Sequence, residues 1–348
     1  MLLGEKELQA AYKALLDQNP HIYLRDAANQ LRVSEMALLP IAHGEGAIPL
    51  RPDFITIFET LPKLGKLLAL SRNEWAVIET TGVYPTPMFE GPVGVINSSI
   101  IDLRLYLQEW KYAYAVRAFG KDGKPLYSLQ FFAPNGEAIH KVYLQDPAFL
   151  PSWEGLVEKL RLAEHPVHEY SREDGEKGAL KSVEERESFL SEWGRLRDTH
   201  DFHALLRRYG LDRFTAMHLA QGRYAWRLPA NALEELLQWA RESGTPIMFF
   251  VGNRGIHHIF TGRIYTLTPA RGWINIMDDN FTLHLNPAGL RHLYLVEKPT
   301  QEGYIYSIEV FGPAGEEVLW VFGARKPGNP VPEAWLEYIR ALKKSVVA

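Results

Sequence analysis

The feature that most constrains the fold of this 348-residue chain is an internal repeat with an offset of about 180 positions. The paired segments are 67–74 with 247–254, 93–97 with 273–277, 102–105 with 282–285 and, one residue shorter, 126–137 with 305–316. The period is too long for a solenoid, so the repeat predicts two halves with the same fold.

Each half shows helical spacing of apolar residues first and strand-like alternation later. Helical spacing covers residues 5–17, 23–40, 183–209, 212–221, 229–243 and 332–345, and alternation with turn signals covers 67–146 and 246–325. Helices set apart from runs of strands indicate an α+β fold with a mainly antiparallel sheet. We therefore predict an N-terminal repeat half at 1–165, a polar connection at 166–184 and a C-terminal repeat half at 185–348.

Composition narrows the chemistry that this chain can perform. Cysteine is absent, which excludes disulfides, thiolate nucleophiles and iron–sulfur clusters, so any metal must be held by His, Asp, Glu or Tyr. The net charge of −4 gives no general attraction to nucleic acid. No run of eighteen apolar residues and no basic-then-apolar leader is present, and we expect a cytoplasmic protein.

Two histidines fall in line with the apolar stripe of a helix predicted over 185–209. The stripe consists of Phe189, Trp193, Leu196, His200, His203 and Leu206, spaced by three and four residues. Imidazoles inside a buried stripe are costly unless each has a polar partner. Nearby carboxylates or carbonyls could be that partner, and so could a metal or the iron of a haem. Asp201 is a weak candidate for fixing the tautomer of a ligating histidine.

A second candidate is Arg104, in a strand that alternates Asp102, Arg104 and Tyr106 with leucines. Its polar face is either solvated or the wall of a pocket, with Arg104 donating hydrogen bonds above a flat ligand and Tyr106 packing against it. The C-terminal half supplies cations and phenols that suit the two propionates of haem. They are Arg213, Lys298, Tyr304, Tyr306 and Arg325.

Other motifs carry less information. His257 and His258 are adjacent in a predicted strand, so they point to opposite faces and cannot easily share one metal. His284 occupies the repeat position of Arg104 and has no assigned role. No catalytic serine triad, Walker loop or dinucleotide-binding glycine motif occurs. Residues 26–39 have a helix-turn-helix cadence, which we interpret as a packing motif because no basic surplus accompanies it.

The chain resembles the HemS/ChuS/HmuS/PhuS family of bacterial cytoplasmic haem-utilisation proteins over nearly its whole length, including the duplication. The strings that carry the resemblance are Leu70–Glu74, Asp102–Leu105, Asp198–Phe202, Gly252–Gly255, Trp273–Asn275 and Glu297–Thr300. The resemblance implies that each half is an α+β unit with a large antiparallel sheet, with helices packed to one side and haem in a cleft between the halves.

The resemblance also implies roles for particular residues. His200 takes the place of the proximal iron ligand, and His203 that of a second histidine that substitutes for it or hands haem on. Arg104 takes the place of the distal arginine, with Tyr106 as the aromatic residue two positions later. Propionate contacts carry over to Arg213, Lys298 and Arg325. Phe322 stands where relatives have a tyrosine, so one phenolic contact is lost unless Tyr304 or Tyr306 replaces it.

These expectations lead to a haem-binding protein of a bacterial haem-uptake and iron-acquisition system. It would sequester imported haem and deliver it to a haem oxygenase, with the cytoplasmic side of a haem ABC importer as a further partner, acting as a monomer or a dimer. The His200/His203 pair favours this carrier role over the alternative, a haem-degrading enzyme that uses Arg104 on the distal side. A haem-responsive DNA-binding regulator is a further alternative, which the acidic net charge argues against.

Overall fold

The computed structural model describes residues 4–120, 122–166, 183–325 and 330–347. The predicted polar connection at 166–184 lies, apart from its ends, outside the described residues. The helices and strands of the N-terminal half are α1 Glu5–Gln18, α2 Leu24–Leu31, α3 Glu35–His43, β1 Ala47–Leu50, α4 Phe54–Thr60, β2 Lys66–Arg72, β3 Ala76–Val83, β4 Met88–Glu90, β5 Val93–Asn97, β6 Asp102–Tyr106, β7 Tyr112–Phe119, β8 Pro125–Phe132, β9 Ala138–Leu144 and α5 Leu150–Leu160.

The C-terminal half repeats this order of elements. Its helices and strands are α6 Val183–Trp193, α7 Asp201–Tyr209, α8 Arg213–Leu219, β10 Ala225–Leu228, α9 Ala232–Ser243, β11 Ile247–Asn253, β12 Ile256–Gly262, β13 Thr268–Ala270, β14 Trp273–Asp278, β15 Phe281–Leu285, β16 His292–Thr300, β17 Gly303–Phe311, β18 Glu317–Gly323 and α10 Glu333–Val347. No helix in the described part of the chain combines the length and apolar character that crossing a lipid bilayer requires.

The chain forms two compact units, and each takes a short piece from the other half of the sequence. The first unit comprises Met1–Ser71, Thr81–Glu173 and Arg254–Ile256. The second comprises Arg72–Thr80, Asp174–Asn253 and His257–Ala348. The boundaries predicted at 165 and 185 stay a prediction.

The two units share one strand plan. The first contains the antiparallel order β1-β7-β8-β9-β2, and the second contains the corresponding order β10-β16-β17-β18-β11-β12. A smaller antiparallel ribbon accompanies each: β4-β5-β6 in the first unit, and β13-β14-β15 with the Ala76–Thr80 part of β3 in the second. The predicted α+β fold with internal duplication is confirmed.

Helices cover both faces of the larger sheets, in contrast to the expected packing on one side. In the second unit Leu293 and Leu295 of β16 pack into a core with α9 and α10, while Tyr294 and Val296 face a separate core formed with α6, α7 and α8. The strands of the first unit alternate in the same way between α5 and α3. The reason is that these central strands carry apolar residues at successive positions, which requires burial on both faces.

Two stretches with helical spacing each form two helices, and for 23–40 this agrees with the helix-turn-helix cadence of residues 26–39. The stretch 23–40 breaks where Arg32 adopts a left-handed conformation with φ 56° and Ser34 caps α3 through the amide of Ala37. The stretch 183–209 breaks between Trp193 and Asp201. The elements β1, α4, α5 and β10 were not predicted from the sequence, because they interrupt or follow the longer periodic segments.

Candidate functional site

The break between α6 and α7 positions the two histidines of the second unit. Trp193, the last residue of α6, stacks on Tyr224 with ring centroids 5.6 Å apart. A Cβ atom at Gly194 would lie 2.3 Å from the hydroxyl of Tyr224, so any larger residue directly after the stacked tryptophan requires Tyr224 to shift. The chain then turns, and α7 begins at Asp201 with His200 as its N-cap residue.

His200 and His203 lie on the exposed side of α7. The buried face of this helix consists of Phe202, Leu205 and Leu206, while the His200 side chain keeps 87 % of its surface accessible and His203 is also exposed. The prediction that both imidazoles lie within the buried stripe is wrong. The spacing counted from Phe189 through Leu196 is not continued into α7, because the intervening turn resets the helical register.

Asp198 orients the imidazole of His200. One carboxylate oxygen, Oδ1, accepts from the His200 backbone N–H at 2.8 Å and lies 2.6 Å from its ring Nδ1. A carboxylate can only accept, so Nδ1 carries the proton and Nε2 presents its lone pair. Asp201, the predicted partner, instead accepts from the backbone N–H of Asp198 at 3.1 Å.

The same contacts hold the carboxylate of Asp198 in its charged form. The backbone N–H of His200 lowers the pKa of Asp198, desolvation opposes this shift, and the His200 ring and Arg325 lower the pKa further. Arg325 is half-exposed at the end of β18. The charge of Arg325 therefore lies close enough to the Asp198–His200 pair to stabilise the Asp198 carboxylate.

Beneath α7 lies a buried ion cluster formed by Arg213, Lys298 and Glu309. Arg213 donates to both carboxylate oxygens of Glu309, through Nε at 2.6 Å and Nη2 at 2.9 Å. Lys298 Nζ donates to Oε1 at 2.6 Å, and the hydroxyl of Ser307 donates to the same oxygen at 3.0 Å. Phe202 of α7 covers the cluster, with the two cationic groups 5.3 Å and 4.8 Å from its ring centroid.

Arg213, Lys298 and Glu309 sum to one positive charge, and the carboxyl of Glu317 also acts on both cations. Burial raises the pKa of Glu309, but Arg213 and Lys298 outweigh that effect and hold it well below its usual range. Burial lowers the pKa of Lys298 to about 8, with Glu309 opposing the shift and Arg213 adding to it. Arg213 and Lys298 were predicted as propionate partners from sequence. In the structure both are buried and form ion pairs with Glu309, a residue that was not predicted as part of the site.

The cluster also affects His203. Desolvation by the surrounding protein, followed by the charges of Arg213 and Lys298, lowers the pKa of His203 to about 4. Part of the His203 ring surface is accessible to solvent, yet enough protein atoms lie around the ring to disfavour its charged form. At neutral pH His203 is consequently an uncharged imidazole, which is the form that binds metals.

An aromatic wall, formed by Phe250, Trp320 and Phe322, adjoins the cluster on the same face of the sheet. The Phe250 ring lies 5.8 Å from Trp320 and 5.2 Å from Phe322. The guanidinium carbon of Arg213 lies 3.7 Å from the Trp320 ring centroid, a close cation–π contact. Phe322 has no hydroxyl to offer to this face of the sheet.

Tyr304 and Tyr306 cannot supply the missing phenol on that face. Ser307 and Glu309 of β17 point towards the ion cluster, so the alternation of the strand directs Tyr304 and Tyr306 to the opposite face. Tyr306 packs against the core formed with α9 and α10, and Tyr304 is exposed. The proposed compensation for Phe322 by either tyrosine is therefore wrong.

Arg104 and Tyr106 belong to the first unit. Leu103 and Leu105 are fully buried, while Asp102, Arg104 and Tyr106 are partly exposed, so the predicted alternation is confirmed. Arg104 forms an ion pair with Asp102 on the same strand face and donates to the carbonyl of Leu103 at 3.2 Å.

The remaining histidine candidates separate clearly. His258 is buried, with Nε2 2.8 Å from the hydroxyl of Thr80, while His257 lies against Trp320 with ring centroids 4.7 Å apart. Their predicted opposite orientation is confirmed. His284 Nδ1 lies 2.5 Å from the side-chain oxygen of Asn275 in the β14–β15 ribbon. Within the described ranges, no group of three or more potential metal-ligand side chains is arranged to hold an ion.

The ion cluster is not duplicated in the first unit. Gln130 pairs with Lys141 there, as Glu309 pairs with Trp320 in the second unit, so these residues are repeat equivalents. Lys141 forms an ion pair with Glu35, the first residue of α3. The strand position that holds Glu309 in the second unit is therefore occupied by a neutral glutamine in the first.

The fold and the site together define a duplicated α+β protein whose second unit presents oriented imidazoles beside buried cations. The family model described as the haemin-degrading HemS.ChuX domain matches residues 32–160 and 210–342. The chain therefore belongs to the HemS family.

Individual relatives match over nearly the whole chain. The hemin transport protein HmuS of Yersinia pestis is 33% identical over 333 residues, which cover 95% of this chain and 96% of HmuS. Holo-PhuS, a heme-binding protein from Pseudomonas aeruginosa, is 38% identical with a TM-score of 0.90, covering 98% of this chain and 99% of PhuS. The heme degrading enzyme ChuS of Escherichia coli O157:H7 is 30% identical with a TM-score of 0.89, covering 97% and 99%.

Proposed function

We propose that this chain is a haem-binding protein of a bacterial haem-uptake system, with His200 as the axial ligand of the iron. The observation that carries the proposal is the Asp198–His200 pair. Its 2.6 Å contact fixes the proton on Nδ1 and leaves Nε2 of an exposed ring available for coordination. The names of the hemin transport protein HmuS and the heme-binding protein PhuS support haem as the bound group.

The limited number of metal-binding side chains also favours haem over a bare ion. A structural metal ion needs about four protein ligands, and the described residues offer no such group. Haem iron brings its own porphyrin nitrogens and needs only an axial imidazole. His203 is uncharged at neutral pH and lies three residues after His200, so we propose it as the alternate ligand.

The cations beside the histidines would favour the propionates of haem. Arg213 and Lys298 exceed Glu309 by one positive charge, and this excess lies behind α7 and the aromatic wall. Arg325, half-exposed and close enough to influence Asp198, is the cation best suited to a direct propionate contact. Arg213 and Lys298 would contribute mainly through their field, because Glu309 already accepts from both.

We further propose that the protein acts in the cytoplasm as a carrier that delivers haem to a separate haem oxygenase after import. Two imidazoles on the same exposed side of α7 allow the iron to change ligand before it leaves the protein. The alternative is haem degradation by this chain itself, which the similarity to ChuS favours. In that case the protein would supply binding and orientation while the haem and oxygen supply the chemistry. Arg104 and Tyr106 are proposed as further haem contacts on the family resemblance alone.

A hemin titration followed by absorbance tests the binding proposal. The variants are His200→Ala, the His200→Ala/His203→Ala double variant and, as a matched control, His21→Ala, which removes an exposed histidine of the first unit. We expect a one-to-one Soret shift in wild type and in the control, an altered spectrum in the single variant, and an affinity about tenfold or more weaker in the double variant. An unchanged spectrum and affinity in the double variant would refute the assignment of the ligand.

The carrier and the enzyme differ in the fate of bound haem. Holoprotein mixed with apomyoglobin should transfer intact haem, with the myoglobin spectrum appearing as the protein's own Soret band declines. Holoprotein with ascorbate in air should retain its Soret band over the same period. Rapid loss of that band with release of a bilin would support degradation instead, and Arg104→Ala should then slow the loss.

A further inference from the structure

A third histidine, His257, faces the same aromatic wall as His203. It lies at the start of β12, where strand alternation buries His258 against Thr80 and turns His257 the other way. The His257 ring centroid lies 4.7 Å from that of Trp320, at an interplanar angle of 38°. This orientation follows from the strand itself, because a residue next to a fully buried one must face the other side.

Trp320 connects His257 to the proposed haem site. The His203 ring also contacts Trp320, at 6.3 Å, so the two imidazoles lie within about 11 Å of each other. Both approach from different elements, α7 and β12, onto a single indole. Trp320 itself is buried, but Phe250 and Phe322 of the aromatic wall are partly exposed and offer flat apolar surface of the kind on which a planar macrocycle packs.

We propose that His257 contacts bound haem and serves as an auxiliary iron ligand, so that three imidazoles line the surface along which haem leaves His200. This inference rests on the proposed haem-binding function and adds a residue that the family's histidine string at 198–203 does not contain. A single imidazole suffices for one axial position, so His257 needs no further protein ligands beside it.

The arrangement also gives Trp320 a positioning role. Its indole is held by Arg213 on one side, with the guanidinium carbon 3.7 Å from the ring centroid, and by Phe250 on the neighbouring strand. A fixed indole gives the imidazoles of His203 and His257 a common surface to pack against. Replacing Trp320 by leucine should therefore weaken haem retention, although the tryptophan itself does not coordinate the iron.

The test compares multiple variants at saturating hemin. The double variant His200→Ala/His203→Ala is combined with His257→Ala, or with His21→Ala as the matched control. We expect the double variant and the His21 control to keep a residual complex with the ferrous iron–imidazole stretching band in resonance Raman spectra. The His257 triple variant should lose that band and bind hemin about tenfold more weakly.

A second measurement uses His257→Ala alone in otherwise wild-type protein. The rate of haem transfer to apomyoglobin should fall at least severalfold, because haem loses one of the imidazoles that it contacts after leaving His200, whereas His21→Ala should leave the rate unchanged. Identical Raman spectra and affinities of the double and triple variants, or a double variant with no imidazole-bound haem, would overturn the role of His257. Wild-type protein that binds no hemin at all would instead refute the haem-binding function, so the two failures are distinguishable.

Discussion

Replacing the buried carboxylate by its amide, Glu309→Gln, should destabilise the second unit severely. Glu309 accepts two hydrogen bonds from Arg213, one from Lys298 and one from Ser307. Glutamine keeps one acceptor oxygen and directs an N–H₂ group at cationic donors. Removing one partner from a buried ion pair costs about 3–5 kcal/mol because the remaining charge is left without compensation.

Lys298 decides where in this range the loss falls. Burial lowers the pKa of Lys298 to about 8 even with Glu309 present, so the lysine can release its proton when the carboxylate is lost. Arg213 cannot lose its proton and remains charged in the interior. We therefore expect a loss of about 3 kcal/mol, near the lower end of the range.

Urea unfolding at neutral pH, followed by circular dichroism and tryptophan fluorescence, measures this loss. The exposed residue Glu234 provides a matched control, since Glu234→Gln should change stability by no more than about 0.5 kcal/mol. The double variant Glu309→Gln/Lys298→Met should be more stable than Glu309→Gln alone, because the buried amine of Lys298, which has lost its proton and its carboxylate acceptor, is replaced by an apolar group. A loss below about 1 kcal/mol in Glu309→Gln would refute the view that this carboxylate balances two buried cations.

Three further predictions concern stability. Gln130→Leu should be neutral within about 1 kcal/mol in urea unfolding, because Oε1 of the buried Gln130 has no hydrogen-bond partner among the described residues; a loss above about 3 kcal/mol would contradict this. Gly194→Ala should cost about 1–3 kcal/mol through its clash with Tyr224, and Tyr224→Phe should restore part of that loss, whereas an alanine variant as stable as wild type would exclude the clash. Burial lowers the pKa of His140 to about 3, so on acidification the unfolded chain binds a proton at this histidine before the folded protein does. Stability should therefore fall as the pH drops below about 6.5, by up to about 1.4 kcal/mol per pH unit. His140→Gln should flatten this dependence when unfolding is measured between pH 7 and 4, and an unchanged slope would contradict the assignment.

The duplication and its strands were predictable from sequence, whereas the arrangement of α7 was not. Strand alternation has a period of two residues and survives small errors in element boundaries, so the opposite orientations of His257 and His258 followed from their adjacency alone. A helical count needs an unbroken helix. The turn after Trp193 packs against Tyr224, thirty residues later in the sequence, and no local pattern reveals this contact.

Glu309 was missed for a related reason. It follows Ile308 and precedes Val310 in an apolar strand, and its main partner Arg213 lies 96 positions away, so neither residue predicts the other. The repeat alignment contained one usable signal, because it pairs Glu309 with Gln130. A charged residue that aligns with a neutral one inside a buried strand indicates where two duplicated units have diverged in chemistry.

That divergence separates the unit with the histidine pair and the ion cluster from its repeat. In the second unit Arg213 begins α8 and reaches Glu309 and Trp320, so two cations surround one carboxylate beside the exposed histidines. In the first unit Lys141 occupies the strand position equivalent to Trp320, and its charge is balanced by an ion pair with Glu35 at the start of α3. Both units keep the same backbone plan and comparable apolar cores. The Arg213–Lys298–Glu309 cluster therefore distinguishes one copy of the fold from the other, and because a buried ion cluster is a poor source of stability, its presence beside the histidines favours a role in binding.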